Sequence, residues 1–469
     1  MINSHRVHAF TNDVLEDSDA TAVAKLIRSR QISAEEARLA AIARAQKVDE
    51  HICALAEEGF STPFTVEGEG PFLGVPTVIK DNRNLRGFVT GQGSKSFVGT
   101  KAKDHDSFIK QLLSLGLVPI GKSKMPEFGF TASTEYETTE PTRNPWNIDY
   151  SAGGSSGGSA ALVAAGVVPI AHANDGGGSI RIPASCCGLV GLKPSRGRLV
   201  LGDSTRKLPL KIVEDGVLTR SVRDTALFMY GAESYFHNSK YPKLGLVRHP
   251  GKRPLRIGVI MHSGYGGDTA SEVADVIKQC CICLKDMGHN LVELDKLPGE
   301  KGFGEDFARY WRFIAFIVRV ATKSLYPSFD HRKLDSFTKG LVAQSFKEIP
   351  RTPSSLYRIQ KSYKSHAELM GNYDLLLSPV LTTPPKKLGY LSPNVEFDEL
   401  FRRLRDYACF TPYNNANGSP AISLPFGQSQ SGLPVGVHFT AAHGDEKTLL
   451  ELAYALEEAR PWRRIQDNN

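Results

Sequence analysis

Residues 151–179 read SAGGSSGGSAALVAAGVVPIAHANDGGGS, and the rest of the chain is organised around them. They contain two glycine-rich turns, GGSSGG at 153–158 and GGGS at 176–179, on either side of a short apolar unit. Glycine reaches backbone conformations that other residues adopt only at a cost, so such turns can direct several N–H groups at one point. A serine beside such groups can attack a carbonyl carbon while they stabilise the oxyanion. Glycine clusters also form ordinary loops, and composition alone leaves both interpretations open.

Two predicted strands on either side of the first turn end next to polar residues. GVPTVIK at 74–80 is a short β-rich run that ends in Lys80, and VVPIAHA at 167–173 leads to Asp175 and the second turn. A predicted helix at 107–115 followed by the strand LVPIG is typical of α/β architecture. In open α/β sheets ligands bind beyond the carboxyl ends of strands, so Lys80 and the second turn occupy equivalent positions.

The rest of the chain shows helical periodicity and further apolar runs. Ser33 and Glu36 form a capping-box pattern that begins a helix running to about Val48. A helix is also predicted at 219–230. Three charged residues are expected on its solvent-facing side, namely Arg220, Arg223 and Asp224. Other helices are predicted at 22–30, 305–326, within 328–363 and at 448–460, and other strands at 255–261, 374–380 and 420–425, with a further apolar step at 189–192. A helix is also predicted after the strand at 255–261, ending at Gly288. The residues of its apolar stripe are Val273, Val276, Ile277, Cys280, Leu284 and Met287.

The composition is that of an ordinary globular protein. Of the 469 residues, 41% are hydrophobic and 23% are charged, which is enough for a buried core. The net charge of +7 is spread along the chain without a Lys/Arg run, so no nucleic-acid partner is expected. The N-terminal residues contain no apolar segment of the signal-peptide type, and the apolar stretch at 160–173 is too short to cross a bilayer. We therefore predict a cytoplasmic protein without a membrane partner.

The cysteines do not follow a metal-binding pattern. There are seven; three lie in a helical pattern at 280–283 and two are adjacent at 186–187, and neither group has zinc-finger spacing. In a chain without an export signal we expect them to be reduced and mostly buried. No HExxH-like spacing occurs either. We therefore predict no metal site.

Four short motifs match well-known signatures without their companion residues. Residues 153–157 spell G-x-S-x-G, but a nucleophile elbow needs an apolar strand before it, and NIDYSA is a poor strand. Residues 153–158 have P-loop glycine spacing without the required Lys and Ser/Thr. S-x-x-K at 336–339 and Y-x-x-x-K at 357–361 lie in a helical pattern. An esterase of the α/β-hydrolase type stays open as an alternative and would need a histidine that serves Ser155.

A longer pattern resembles the signature of a known family. The run GGSSGGSAALVAAGVVPIAHANDGGGSIRIPASCCGLVGLKPSRGR at 153–198 is similar to the signature of the amidase signature family of serine amidohydrolases. The similarity includes GVPTVIKDN, GKSKMPEFG, TRNPWN and TRSVRDTA, and it resumes at GSPAISLPFG, GLPVGVHF and LLELAYALEEARPW. Together these runs cover roughly half the chain. The resemblance implies a single-domain α/β/α sandwich around a mixed central β-sheet.

The resemblance also implies a Ser-Ser-Lys triad and amide hydrolysis through an acyl-enzyme, without a cofactor. Ser179 corresponds to the nucleophile, Ser155 to a bridging serine that follows a cis peptide bond, and Lys80 to the base. The residues that correspond to the oxyanion hole are Gly176, Gly177, Gly178 and Ser179. Those that correspond to bracing residues are Ser156, Asp175 and Arg181.

Such a triad needs a lysine that is neutral. A free lysine has a pKa near 10.4, so at pH 7 only about one in a few thousand is neutral. Burial disfavours the ammonium form and lowers the pKa. A neutral Lys80 would then take the proton of Ser155 while Ser155 takes the proton of Ser179.

The chain departs from the commonest family pattern at the second turn. Many members have Thr-Asp-Thr or Thr-Asp-Ile where this chain has Asn174, Asp175 and Gly176. The third glycine is expected to leave the oxyanion loop less crowded and more mobile. The run HANDGGGSIRIPAS most resembles the branch of cyclic nylon-oligomer (aminohexanoate dimer) hydrolases and related bacterial amidases. The glutaminase component of the tRNA-dependent amidotransferases usually has Gln where this chain has Ile182, and it stays an alternative.

The substrate prediction rests on apolar residues near the turns. Phe128, Phe130 and Ile182 are expected at a pocket rim, so we predict a small linear or cyclic amide with apolar parts as the substrate. A homodimer stays open. We predict one domain at 1–469, with a signature core at about 74–226, a variable region that covers the substrate at about 300–400, and a C-terminal return to the core at 411–462.

Overall fold

The computed structural model describes residues 5–61, 65–297 and 302–467. The two ends of the predicted 1–469 domain and the start of the predicted 300–400 region lie outside these ranges. The strands are β1 (Leu55–Glu58), β2 (Pro76–Lys80), β3 (Val118–Ser123), β4 (Arg143–Asn144), β5 (Asn147–Ser151), β6 (Ile170–Asp175), β7 (Val190–Lys193), β8 (Glu214–Thr219), β9 (Arg256–Ile260), β10 (Asn290–Leu294), β11 (Leu375–Pro379), β12 (Ala421–Gln428) and β13 (Pro434–Ala441). The helices are α1 (Ala20–Arg28), α2 (Ala34–Ile52), α3 (Ser107–Leu113), α4 (Gly157–Ala164), α5 (Arg181–Cys187), α6 (Asp203–Arg206), α7 (Val222–Tyr235), α8 (Ser271–Asp286), α9 (Phe303–Leu325), α10 (Ser336–Glu348), α11 (Thr352–Met370), α12 (Phe397–Tyr407), α13 (Pro412–Asn417) and α14 (Glu446–Ala459).

The larger sheet joins eight of the described strands in the order β10-β9-β11-β13-β12-β7-β8-β6. β10, β9 and β11 run parallel, whereas every other neighbouring pair is antiparallel, so the sheet is mixed. Every residue of β6, β7, β8 and β13 is buried. Successive side chains of a strand point to opposite faces, so this burial requires cover on both faces. Helices α4, α5, α7, α8 and α14 contact these strands, which confirms the predicted α/β/α sandwich.

A smaller sheet, β1-β3-β2, brings Lys80 beside the larger sheet. Its strand β2 packs against β6. The Thr77 hydroxyl donates to the Ile170 carbonyl at 2.9 Å, and the Lys80 N–H donates to His172 Nδ1 at 3.1 Å. Because β2 ends at Lys80 and β6 ends at Asp175, the two predicted polar strand ends lie side by side.

Most of the predicted helices are present. The capping box forms at the start of α2, where Ser33 Oγ accepts from the Glu36 N–H at 3.1 Å and the Glu36 carboxylate accepts from the Ser33 N–H at 2.7 Å. The helix continues one turn beyond Val48, to Ile52. The predicted apolar stripe of α8 is buried and includes Cys280. Helices α9 to α12 pack on one another and form a helical layer in the 303–407 part of the chain.

The prediction for residues 219–230 is wrong in two respects. The first residue of that range ends β8, and the helix, α7, begins three residues later. Asp224 is buried and accepts hydrogen bonds from the N–H groups of Ala20 and Thr21, each at 2.8 Å. Arg220 is half-buried rather than solvent-facing. The N-terminal segment docks against this helix, and helical periodicity does not report a partner that lies 204 residues away.

Several strands are not predicted by the sequence patterns. β8 has the sequence EDGVLT, in which the buried Glu214 and Asp215 interrupt the apolar pattern. β13 and β10 are not predicted either. Residues Asn147–Ser151, expected to make a poor strand, do form β5, which pairs with β4 in a two-stranded ribbon outside the larger sheet and makes one further bridge, from Tyr150 to Lys387. The apolar strand that a nucleophile elbow requires therefore does not precede the first glycine turn.

Candidate active site

Lys80 ends β2 with its amine surrounded by three oxygen atoms. Lys80 Nζ lies 2.7 Å from Ser155 Oγ and 2.9 Å from Ser156 Oγ. The third oxygen is Asn174 Oδ1, at 2.7 Å. The lysine side chain is 0% exposed. The Lys80 amine thus contacts two predicted site residues, Ser155 and Ser156, and also Asn174, which is not among the predicted site residues.

The surroundings of Lys80 favour its neutral form. Burial lowers the pKa of Lys80 to about 7, because the ammonium loses its hydration. The carboxylates of Asp175 and Asp215 oppose this shift, and the charge of Arg83 adds to it. At pH 7 about half of such lysines are neutral, against about one in a few thousand for a free lysine. The amine can therefore accept a proton at neutral pH.

The first glycine turn holds Ser155 against this amine. The Gly154–Ser155 peptide bond is cis, and helix α4 begins two residues after Ser155. Gly129 approaches from another side with φ +75°, so closely that a Cβ there would lie 3.0 Å from Ser155 Oγ. Ser155 is 3% exposed as a result.

The second glycine turn follows β6 and is tied to Asp175. The Gly178 N–H donates to Asp175 Oδ1 at 2.7 Å. The Gly177 carbonyl accepts from the Thr411 hydroxyl at 2.7 Å, which orients the same peptide unit from its other end. The Gly178 N–H is therefore engaged within the turn, although the resemblance assigns Gly178 to the oxyanion hole. The turn residues that line the adjoining cavity are Gly176, Gly177 and Ser179.

Arg181 fixes the Asp175 carboxylate with two parallel hydrogen bonds. Arg181 Nε lies 2.9 Å from Oδ2 and Nη2 lies 2.9 Å from Oδ1, and both side chains are fully buried. Burial by itself raises the pKa of Asp175, but the guanidinium more than offsets it and holds that pKa below its usual range. The other guanidinium N–H groups donate to Asn414 Oδ1 at 2.9 Å and Asn415 Oδ1 at 2.7 Å. This ion pair braces the second turn.

Three asparagines of this network are not among the predicted site residues. The sequence marks Asn174 only as a departure from the commoner threonine. Asn414 and Asn415 lie in α13, and Asn415 Nδ2 donates to Asp175 Oδ1 at 2.9 Å. Amide side chains that are buried in native structures are hydrogen-bonded. The asparagine-rich sequence PYNNAN, just before the predicted strand at 420–425, is therefore the signal that could have indicated Asn414 and Asn415.

The histidines near the two turns have partners of their own. His172 Nδ1 accepts from the Lys80 backbone N–H, and His172 Nε2 lies 3.2 Å from Asp215 Oδ1. Burial lowers the pKa of His172, so the ring is neutral with its proton on Nε2. His438 Nε2 lies 3.0 Å from Arg181 Nη1. These contacts do not favour an esterase in which a histidine serves Ser155.

The two turns open into a cavity of about 470 Å³. Ser155 and Ser179 both lie on its wall. So do the three predicted rim residues, Phe128, Phe130 and Ile182. Helix α9 lines the cavity along its whole length, with Phe303, Phe307, Trp311, Ile314, Val318, Thr322 and Leu325 among the contributing residues. The serines thus adjoin an extended apolar surface.

Other features of the described residues bear on the predictions for membranes, metals and cysteines. Within 5–61, 65–297 and 302–467, no helix combines the length and apolarity needed to cross a bilayer. The same ranges contain no group of three or more His, Cys, Asp or Glu side chains arranged to hold a metal ion. All seven cysteines are free thiols, of which Cys186, Cys187, Cys280 and Cys409 are buried.

Comparison with known proteins identifies the family of the chain. The family model described as Amidase matches residues 33–450. The protein named "Putative amidase AmiC" of Mycobacterium leprae is 45% identical over 465 residues, covering 98% of this chain and 99% of that protein. The 6-aminohexanoate-cyclic-dimer hydrolase of Paenarthrobacter ureafaciens is 33% identical over 478 residues, covering 95% of each. A solved structure of 6-aminohexanoate cyclic dimer hydrolase has a TM-score of 0.84 at 30% identity, covering 96% of this chain and 98% of that one. The chain therefore belongs to the amidase signature family and is a hydrolase that acts on amide C–N bonds other than peptide bonds.

Proposed function

We propose that the protein hydrolyses amides through a Ser-Ser-Lys triad and an acyl-enzyme intermediate. Ser179 is the nucleophile, Ser155 relays protons and Lys80 is the base. The observation that carries this proposal is the 2.7 Å contact between Lys80 Nζ and Ser155 Oγ, on the wall of a cavity that Ser179 shares. The lowered pKa of Lys80 supports it, since the amine is available as a base near neutral pH.

Acylation begins with two proton transfers. The neutral Lys80 amine accepts the Ser155 proton while Ser155 Oγ accepts the Ser179 proton. Ser179 Oγ then bonds to the amide carbon, and the carbonyl π electrons move to oxygen. The N–H groups of Gly176, Gly177 and Ser179 are the donors proposed for that oxyanion, because the Gly178 N–H is already bound to Asp175. Ser156, Asp175 and Arg181 brace the site.

Collapse of the tetrahedral intermediate breaks the C–N bond. The leaving nitrogen takes a proton from Ser155, which recovers one from the Lys80 ammonium, so the relay returns to its starting state. A water then attacks the Ser179 ester with its proton passing along the same relay. Release of the carboxylic acid restores the Ser179 hydroxyl and completes hydrolysis.

The substrate we propose is an amide with a substantial apolar part, either linear or cyclic. The support is the cavity, in which aromatic and aliphatic side chains from α9 adjoin the two serines. Apolar surface of this kind gains free energy when it removes apolar substrate groups from water. The relatives named as cyclic-dimer hydrolases act on an amide with aliphatic parts.

We also propose that the chain works as one domain. Arg181 from the 74–226 core binds Asn414 and Asn415 from the 411–462 segment, and α9 from the 300–400 region lines the cavity. Each of the three predicted regions thus contributes to a single site.

Intact-mass labelling with a fluorophosphonate tests the nucleophile without a known substrate. We expect one adduct on the wild type and none on Ser179→Ala. Lys80→Ala should label about 10² to 10⁴ times more slowly, since it lacks the base. Amide and lactam panels then test the substrate class.

The matched control is Ser336→Ala. It removes the hydroxyl of an exposed serine in the S-x-x-K sequence at 336–339, outside the cavity wall. It should label as fast as the wild type. An adduct on Ser179→Ala at the wild-type rate would show that another residue is the nucleophile and would refute the proposal.

A further inference from the structure

The three oxygens around the Lys80 amine differ in what they can do. Asn174 Oδ1 can only accept a hydrogen bond, whereas Ser155 Oγ and Ser156 Oγ can each donate or accept. A neutral amine has two N–H donors and one lone pair. The base works only if that lone pair faces Ser155, because it is the Ser155 proton that must leave.

The Ser156 hydroxyl has an acceptor of its own. Ser156 Oγ donates to the backbone carbonyl oxygen of Asn174 at 3.3 Å. With its proton directed there, Ser156 offers Lys80 a lone pair and receives one of the two N–H groups. Asn174 Oδ1 receives the other. The lone pair of the amine is left for the Ser155 hydroxyl.

We propose that Asn174 is a positioning residue, whose side-chain and backbone oxygens together direct the lone pair of Lys80 at Ser155. This inference rests on the proposed function, in which Lys80 is the base. Asn174 is 5% exposed, and its backbone pairs with Asp215 in the β6–β8 ladder, so the backbone oxygen is held in place and the side chain starts from a fixed position. A threonine hydroxyl, as in the commoner signature, could donate as well as accept and would enforce this direction less strictly.

The amide of Asn174 also adds no charge next to the base. The charged groups that face Lys80 are Asp175 from β6, Asp215 from β8 and Arg83 from the loop after β2. His172, also from β6, is neutral because burial lowers its pKa. A carboxylate at position 174 would add a negative charge at hydrogen-bond distance from the amine and would stabilise the ammonium form.

The test is the pH dependence of the fluorophosphonate labelling rate. For the wild type we expect the rate to rise with pH around a midpoint of about 7, since the neutral lysine is the active form. In Asn174→Asp the midpoint should move upward by about one to three pH units. Asn174→Leu keeps the shape but removes the acceptor, and it should label about a hundredfold more slowly at every pH. Asn174→Thr restores an oxygen and should recover most of that loss.

The control is Asn290→Asp, the same chemical change at an exposed residue that begins β10. It should leave the midpoint where the wild type has it. Thermal melting identifies a variant that fails to fold. If Asn174→Asp fails to fold, the labelling rates of Asn174→Leu and Asn174→Thr test the inference instead. A merely structural role would lower the melting temperature and leave the midpoint unmoved.

Two results overturn the inference: a folded Asn174→Asp with the wild-type midpoint, or Asn174→Leu labelling as fast as the wild type. Failure of the proposed function is distinguishable from both. If Ser179→Ala labels like the wild type, the triad itself is wrong. If Ser179→Ala stays unlabelled while the Asn174→Asp midpoint is unshifted, only the role of Asn174 is wrong.

Discussion

Two buried lysines on neighbouring strands differ in the charge of the groups that their amines contact. Lys80 on β2 and Lys122 on β3 are both 0% exposed. Lys122 Nζ lies 2.8 Å from Asp81 Oδ1, an ion pair that favours the ammonium. The hydrogen-bond partners of the Lys80 amine are hydroxyl and amide oxygens, which carry no net charge. Burial lowers the pKa of both lysines, but the Asp81 carboxylate opposes this shift by direct contact at Lys122, whereas the pKa of Lys80 falls to about 7.

At Arg181 we expect the number and direction of donors to matter as well as the charge. Arg181→Lys keeps the positive charge but loses the planar fork that binds Asp175 and the two asparagines. Labelling should slow by about a hundredfold at pH 7, because the second turn loses its brace. The free energy of unfolding in urea should fall by about 3 kcal/mol, because a buried pair is disrupted.

The control for Arg181 is Arg223→Lys, in which the arginine side chain is 54% exposed. Neither its labelling rate nor its urea midpoint should change measurably. An Arg181→Lys protein with the wild-type labelling rate would contradict a bracing role for the guanidinium.

Among the elements, helix α9 has the largest share in the cavity wall. The contributing residues recur every three or four positions from Phe303 to Leu325, so they form one stripe along the helix. At 1.5 Å per residue this stripe is about 33 Å long. The catalytic end is near Phe307, since a Cβ added at Gly177 would lie 3.7 Å from the Phe307 ring. From Phe307 the stripe continues along the cavity wall to Leu325.

We expect Val318→Trp to shorten the usable cavity. Val318 is half-buried on the stripe, eleven residues beyond Phe307, so a larger side chain there should obstruct only long substrates. For acyl p-nitroanilides of increasing chain length, kcat/KM should fall by about tenfold or more for the longest chains and stay unchanged for the acetyl compound.

The matched control is Val320→Trp, which places the same side chain on the same helix at a residue that is 50% exposed. It should leave kcat/KM unchanged for every chain length. An equal loss for short and long substrates in Val318→Trp would mean that the acyl chain does not follow the stripe.

On the scale of the whole molecule, remote segments meet at single polar side chains. Asp175 and Arg181 join the second glycine turn to α13. Asp224 joins the N-terminal segment to α7, accepting from the Ala20 and Thr21 N–H groups and, at 2.6 Å, from the Thr21 hydroxyl. These contacts make the stability of the fold depend on a few buried carboxylates.

We expect Asp224→Asn to destabilise the protein. The amide nitrogen would face a backbone N–H group where a carboxylate oxygen now accepts, leaving a buried donor unsatisfied. The free energy of unfolding should fall by about 2 to 3 kcal/mol, measured by urea denaturation followed by circular dichroism.

Lys110→Ala is the comparison, because it removes an exposed ion pair with Asp104 and should leave the urea midpoint unchanged. An Asp224→Asn protein as stable as the wild type would show that the N-terminal segment contributes little through this carboxylate.

Local patterns in the sequence predicted the α/β class, many of the helices and strands, and part of the site. The capping box at Ser33, the buried stripe of α8 and the polar ends of β2 and β6 follow from backbone preferences and from side-chain periodicity over a few residues. The family resemblance singled out Lys80 in GVPTVIKDN and Ser155 in the run at 153–198, and the structure brings the two side chains into contact. Each of these features depends on residues that are near one another in the chain or belong to the runs that carry the resemblance.

The sequence patterns therefore predict the α/β class, the two glycine turns and the polar residues at the ends of β2 and β6. They do not predict that the Gly178 N–H binds Asp175, that Asn415 reaches the same carboxylate or that Asn174 contacts the Lys80 amine, all of which depend on the folded structure. The burial of Asp224 also depends on the folded structure. The physical reason is that hydrogen-bond partners and burial are set by contacts between segments up to hundreds of residues apart, and periodicity within one segment carries no information about them.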